Sequence, residues 1–155
     1  MIAIEPIGWI RSGRRELLDD DWDAVPARIE LAPTFPPEAL DGLEAFSHAE
    51  VVYHFDRVSE PTIERGARHP RGNTRWPRVG IFAQRAKDRP NRLGTTIVAI
   101  ERREGRVLAV RGLDAVDGTP VVDIKPVMVE FLPRGPVRQP AWAHELMREY
   151  WKAGA

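Results

Sequence analysis

The stretch "TTIVAIERREGRVLAVRGL" (residues 95–113) decides how this chain is read. Two runs rich in β-branched residues, 95–104 and 106–113, flank Glu104-Gly105. That dipeptide suits a tight turn, so the stretch predicts an antiparallel hairpin. Short runs of the same kind recur on both sides: "IAIEPIGWI" (2–10), "ARIEL" (27–31), "AEVVYHF" (49–55), "VGIFA" (79–83) and "PVVDIKPV" (120–127). Several alternate apolar with polar residues, and most are bounded by Gly, Pro or Asp. Helical signals are fewer. "PPEALDGLEAF" (36–46) predicts a short helix opened by prolines. "QPAWAHELMREYWKA" (139–153) predicts an amphipathic one, with Trp142, Leu146 and Tyr150 or Trp151 on one face for packing against the sheet or a second subunit. The expected fold is mainly β: a small antiparallel β-barrel with a few short helices, one of them C-terminal.

The 155 residues suit one domain, 1–155, with no internal repeat or dividing linker. The 43% hydrophobic and 30% charged residues are those of a soluble globule. No apolar run is long enough for a bilayer, and "MIAIEPIGWIR" (1–11) lacks the pattern of a signal peptide, so a cytoplasmic protein without membrane association is expected. The absence of Cys excludes disulfides and thiolate chemistry. His48, His54, His69 and His144 lack zinc-site spacing, and no metal is expected. Glycine-rich dinucleotide and P-loop signatures are absent as well.

Net charge is zero but unevenly distributed. Residues 1–56 hold 4 basic and 12 acidic side chains, residues 57–111 hold 14 and 5, and residues 112–155 hold 5 and 6. A middle third this basic can focus a field on an anionic ligand, or it can be neutralised by the acidic third in the fold. The segment 57–78, "RVSEPTIERGARHPRGNTRWPR", has no clear period; an aperiodic loop of this length in a compact domain points to function. Its Trp76 could stack on a base or simply pack.

Two further segments carry candidate chemistry. "FAQRAKDRPNRLGTT" (82–96) joins two strands with four cations, a rigid Pro90, and Asn91 and Gly94, which tolerate unusual backbone angles. Such a loop can aim Arg85 and Arg89 at a carboxylate or phosphate, or brace itself through Asp88, Asp114 or Asp123. "GLDAVDGTPVVDIKP" (112–126) crowds three Asp beside a Gly-Thr-Pro turn. Its carboxylates could meet a ribose diol, an ammonium or a sulfonium, or serve turn geometry alone.

In order along the chain, "PIGWIRS" (6–12), "GLEAFSH" (42–48), "VGIFAQRAKDRPNRLG" (79–94) and "GLDAVDGTPVVDIKP" (112–126) resemble the motifs of the TsaA-like family, also called TrmO or YaeB-like proteins. The resemblance implies a small β-barrel, usually a homodimer, that binds S-adenosyl-L-methionine. It implies a methyltransferase acting on N6 of threonylcarbamoyladenosine beside the tRNA anticodon, position 37, with tRNA held by the basic 57–111 segment. Arg85, Thr95 and the 114–119 segment, with Asp114, Asp117, Gly118 and Thr119, are then expected to contact the methyl donor. Arg89 and Asn91 belong to the same arginine-bearing loop, and Arg89 or an arginine of 65–78 suits the threonyl carboxylate. Asp56 and Arg57 stand where the family carries His-Gln. Asp114, Asp117 and His54 are candidates for the base that removes the N6 proton. The chain departs from the pattern at "QRAK" (84–87), at Val127 in place of Tyr, and at "DAVPARIE" (23–30), where a Pro-Arg-Gln element is shorter or absent. Those departures leave two alternatives: methylation of a small molecule, or a non-catalytic donor-binding module.

Overall fold

A computed structural model describes residues 1–23 and 25–152. Its strands, in chain order, are β1 (Gly8–Ser12), β2 (Pro26–Leu31), β3 (His48–His54), β4 (Ala67–Arg68), β5 (Val79–Gly80), β6 (Leu93–Glu104), β7 (Val107–Arg111) and β8 (Pro120–Pro126). Six of them close an antiparallel barrel in the order β1-β2-β7-β6-β3-β8, with β8 pairing back to β1. The small ribbon β4–β5 stands apart from it.

Strict alternation builds the barrel interior. Ala49, Val51 and Tyr53 of β3 point inward, at 1% exposure or less, while His48, Glu50, Val52 and His54 point out. Ile10, Ala27, Ile29, Val98, Leu108, Val110 and Val121 complete the interior from the other five strands. The hairpin of residues 95–113 is present as β6 and β7, with Glu104 opposite Val107 and Gly105 at φ 60°. β6 is long enough to serve two partners. Its first half pairs with β3 (His54 opposite Leu93) and its second with β7 (Ala99 opposite Arg111).

This register sets the functional polarity of the barrel. The C-terminal ends of β1, β3 and β7 and the N-terminal ends of β2, β6 and β8 lie at one end. The connections 13–25, 55–92 and 112–119 therefore all gather there, at what we call the loop end. Leu113, Ala115 and Val116 are buried and seal the barrel beneath them.

The fold class agrees with the sequence reading, but several elements do not. The first strand begins at Gly8, not at residue 2, and the main-chain pairing starts at Ile7, which bonds Val121 and Ala32. Residues 79–83 form the two-residue β5 followed by a 3-10 turn at Ile81–Ala83. The helix expected at 36–46 is two 3-10 turns, Pro37–Leu40 and Leu43–Ala45, split by Gly42 at φ 92°. The C-terminal helix α1 covers only Ala141–Leu146; the expected last residue, 153, lies outside the described residues. Beyond it the chain turns, and the amides of Asp21 and Trp22 donate to the carbonyls of Glu149 (3.1 Å) and Tyr150 (2.9 Å). No described helix is long and apolar enough to cross a membrane.

Candidate functional site

At the loop end, three side chains from three parts of the chain meet on one carboxylate. Tyr53, at the end of β3, points into the barrel, and a buried phenol requires a polar partner. It donates to Asp114 Oδ1 at 2.7 Å and lies 3.1 Å from Thr96 Oγ1 on β6. Thr96 also donates to Asp114 Oδ1. From the C-terminal segment, the Tyr150 hydroxyl donates to Asp114 Oδ2. Asp114 thus accepts three hydroxyl hydrogen bonds. A carboxylate offers about four acceptor positions, so one remains, on Oδ2.

Glycine makes room for this arrangement. Gly94 lies opposite Tyr53 in the β3–β6 ladder, and a Cβ there would come within 2.6 Å of the Tyr53 ring and 2.7 Å of the Phe55 ring. The rings themselves meet edge to face at 5.4 Å. Gly94 therefore allows Tyr53 to lie flat over the strand with its hydroxyl on Asp114.

Both phenols hold their protons tightly. Burial, then the negative charge of Asp114, pushes Tyr53 well above its ordinary value. The same two causes raise Tyr150, opposed by the positive charges of Arg85 and Arg71. Those two guanidiniums thus bear on the hydroxyl that Asp114 holds. Tyr150 thus touches one carboxylate and lies within the field of two guanidiniums, charges complementary to the ammonium and carboxylate of an amino acid.

The remaining predicted residues have definite places. Arg85 is exposed, and one Nη donates to the Thr95 carbonyl at 2.7 Å. None of Asp88, Asp114 or Asp123 is its hydrogen-bond partner among the described residues. Thr95 Oγ1 donates to Glu50 at 3.0 Å. Arg89 braces its own loop by donating to the Gln84 carbonyl at 2.6 Å. Asn91 and Arg92 both take positive φ, 63° and 50°, a strained pair that aims Arg92 at the Val58 carbonyl, 2.7 Å away. Asp117 accepts from the Ser12 amide at 3.0 Å and so fastens the end of β1. Gly118 supplies φ 87° for the turn, and buried Thr119 donates to the Val116 carbonyl at 2.8 Å. His54 faces outward on β3, with no ring hydrogen bond among the described residues. Asp56 is exposed, and Arg57 donates to the Arg15 carbonyl at 2.6 Å. Asp123 pairs with Lys125 at 2.8 Å, away from the cluster.

Arg85 and Asp114 are linked through neighbouring residues of β6: Arg85 donates to the Thr95 carbonyl, and Thr96 donates to Asp114. A groove of about 600 Å³ on the outer wall of the barrel reaches Asp117, but Asp114 and Arg85 do not line it. Its lining carries three cations, Arg11, Arg28 and Arg102, and three anions, Glu30, Glu101 and Asp117, with Arg11 paired to Glu30 at 3.3 Å.

Sequence reasoning passed over Tyr53, Thr96 and Tyr150. For Tyr53 a signal existed: its place in the alternation of β3 buries a hydroxyl, and such a group requires an acceptor.

A closed six-stranded antiparallel barrel with a polar cluster at its loop end defines the class. Comparison with known proteins then places the chain within it. Residues 20–131 match the model of the tRNA-methyltransferase O N-terminal domain, and the chain belongs to that family. It is 37% identical over 149 residues to a Pyrococcus abyssi protein named as a probable S-adenosyl-L-methionine-binding protein, covering 89% of this chain and 74% of that one. It is 35% identical over 96 residues to the human tRNA (adenine(37)-N6)-methyltransferase, covering 62% of this chain and 21% of that protein. The crystal structure of TrmO from Pseudomonas aeruginosa superposes with a TM-score of 0.73 at 31% identity, over 92% of this chain and 62% of that one. The chain thus spans under two thirds of the solved TrmO and a fifth of the human enzyme.

Proposed function

We propose that the protein is an S-adenosyl-L-methionine-dependent methyltransferase whose acceptor is N6 of N6-threonylcarbamoyladenosine at tRNA position 37. The observation that carries this reading is the cluster at the loop end, in a family named for tRNA methylation. The donor ends in an amino acid, and Asp114 with Arg85 and Arg71 offers the complementary charges. Asp114 receives the ammonium on its free acceptor position, and Arg85 faces the carboxylate. Gly118 and Thr119 shape the adjoining turn through main-chain bonds to β1.

When bound, the donor supplies a methyl group already activated on a sulfonium. The protein's part is then alignment, an effect of up to roughly 7–11 kcal/mol when reacting atoms are well oriented. The N6 lone pair forms the new bond to carbon, the carbon–sulfur bond breaks toward sulfur, and the N6 proton leaves to a base. With its last acceptor position given to the ammonium, Asp114 is not the base, and the proton passes to water or to one of the other two candidates, Asp117 and His54.

The acceptor is matched by the exposed arginines of the 57–78 connection. Arg65, Arg75 and Arg78 have no side-chain partner among the described residues, while Arg71 joins Asp20 at 3.0 Å beside the cluster. These cations suit tRNA phosphates, and Arg89 or Arg71 suits the threonyl carboxylate. A homodimer is part of the proposal. Val129, Phe131 and Val137, on the segment after β8, are 77%, 86% and 71% exposed, an apolar row that a second copy would cover. A cytoplasmic location goes with a tRNA substrate.

The test is incubation with S-adenosyl-L-methionine and tRNA carrying threonylcarbamoyladenosine, followed by nucleoside mass spectrometry. One added methyl on that nucleoside supports the reading. Donor binding without transfer to tRNA would leave a small-molecule methyltransferase or a donor-binding module, the latter matching the name of the P. abyssi relative.

A further inference from the structure

Tyr150 stands outside the region matched to the family, which ends at residue 131, yet its hydroxyl is on the carboxylate at the centre of the cluster. Its position is held by several independent ties. Two main-chain hydrogen bonds join residues 149–150 to 21–22. Trp76 Nε1 donates to Glu145 Oε2 at 3.3 Å, linking α1 to the 57–78 connection. Arg71 of that connection grips Asp20, and Arg14 stacks over Trp22 at 4.1 Å. The Tyr150 ring packs edge to face on Trp151 at 4.8 Å. The C-terminal segment is thus fastened to the loop end through both the 13–25 and the 57–78 connections.

We propose that this segment completes the ligand site, with Tyr150 as a positioning residue that sets the rotation of the Asp114 carboxylate. Tyr53 and Thr96 take both acceptor positions of Oδ1, and Tyr150 takes one on Oδ2. A single acceptor position is left, and its direction is fixed because the carboxylate cannot turn without breaking all three bonds. The ligand group it takes is a cationic N–H donor; Arg85, on the carbonyl next to Thr96, and Arg71, on Asp20 next to the 21–22 tie, are cations near enough in the fold to favour a ligand that also carries an anion. This inference rests on the donor reading above for the identity of that ligand, but not for the geometry.

Tyr150→Phe keeps the ring and removes only the hydroxyl. We expect S-adenosyl-L-methionine to bind this variant about tenfold more weakly by calorimetry, the loss typical of a charge-assisted hydrogen bond. The melting temperature should stay near wild type. Arg148→Ala, on the same segment but with an exposed side chain that takes no part in these ties, should leave affinity unchanged. Equal or tighter binding by Tyr150→Phe would overturn the proposal, whereas no binding by wild type would instead remove the donor reading. A ligand-free measurement keeps the two apart. The chain has only two tyrosines, and both donate to Asp114. Spectrophotometric titration should show neither ionising near the ordinary tyrosine value of about 10, and Asp114→Asn should bring both transitions down. A wild-type tyrosine that ionises at about pH 10 would show that the contact is absent and overturn the proposal on its own.

Discussion

Tyr53 and Gly94 form the pair on which the cluster geometry depends most directly. A methyl at position 94 has no room beside the Tyr53 and Phe55 rings. Gly94→Ala should cost about 1–3 kcal/mol, as overpacking does, and tilt the Tyr53 hydroxyl off Asp114. Urea unfolding monitors the first effect and donor affinity the second. The raised phenols also set a pH dependence. Folded Tyr53 and Tyr150 keep their protons after the unfolded chain begins to lose them near pH 10. Their contribution to stability is therefore complete below about pH 10 and is lost as pH climbs toward the folded values. Denaturant midpoints between pH 8 and pH 11 should fall at the alkaline end, and less so in Tyr150→Phe. An unchanged midpoint would contradict the burial of these hydroxyls.

Among the elements, the strands were legible and the connections were not. The hairpin β6–β7 and strands β3 and β8 fall within two residues of their sequence boundaries, because a half-buried strand writes its period of two into the chain. Residues 57–78 read as aperiodic because they hold the two-residue β4 and two 3-10 turns, Glu60–Thr62 and Pro70–Gly72, too short to show a period. Arg85 and Asp114 were legible as candidates by type and neighbourhood, and Asp114 is the residue on which three hydroxyls converge. Tyr150 was not. Its apolar spacing reads as a helix face, whereas the main-chain tie to residues 21–22 that redirects it is a long-range contact with no local signature. The same connection carries a prediction of its own. Replacing Arg65, Arg75 and Arg78 by Ala should weaken tRNA binding and reduce the slope of log affinity against log salt by about 2–3, since each phosphate contact contributes about 0.7–0.9. Donor affinity should not change. A slope equal to wild type would remove these arginines from the RNA interface.

For the whole molecule, the acidic first third and basic middle third meet chiefly at the loop end and along the barrel rim. Asp19 and Asp20 face Arg71, and Asp41 faces Arg103. Neutralisation is therefore partial, and the unmatched cations gather in the connection that flanks the cluster. The exposed apolar row at Val129, Phe131 and Val137 lies on the segment between β8 and α1, the route by which the chain reaches Tyr150. Sedimentation should find a dimer, and Phe131→Asp should shift it toward monomer; a monomeric wild type would contradict the proposed pairing. The central claim is that Asp114, presented by the barrel and oriented by three hydroxyls, is where the methyl donor is held. Calorimetric titration of S-adenosyl-L-methionine into wild type and Asp114→Asn tests it most directly. The account predicts saturable binding by the wild type, one donor per chain, and a loss of affinity of at least tenfold in the variant. Equal affinity in the two proteins would contradict it.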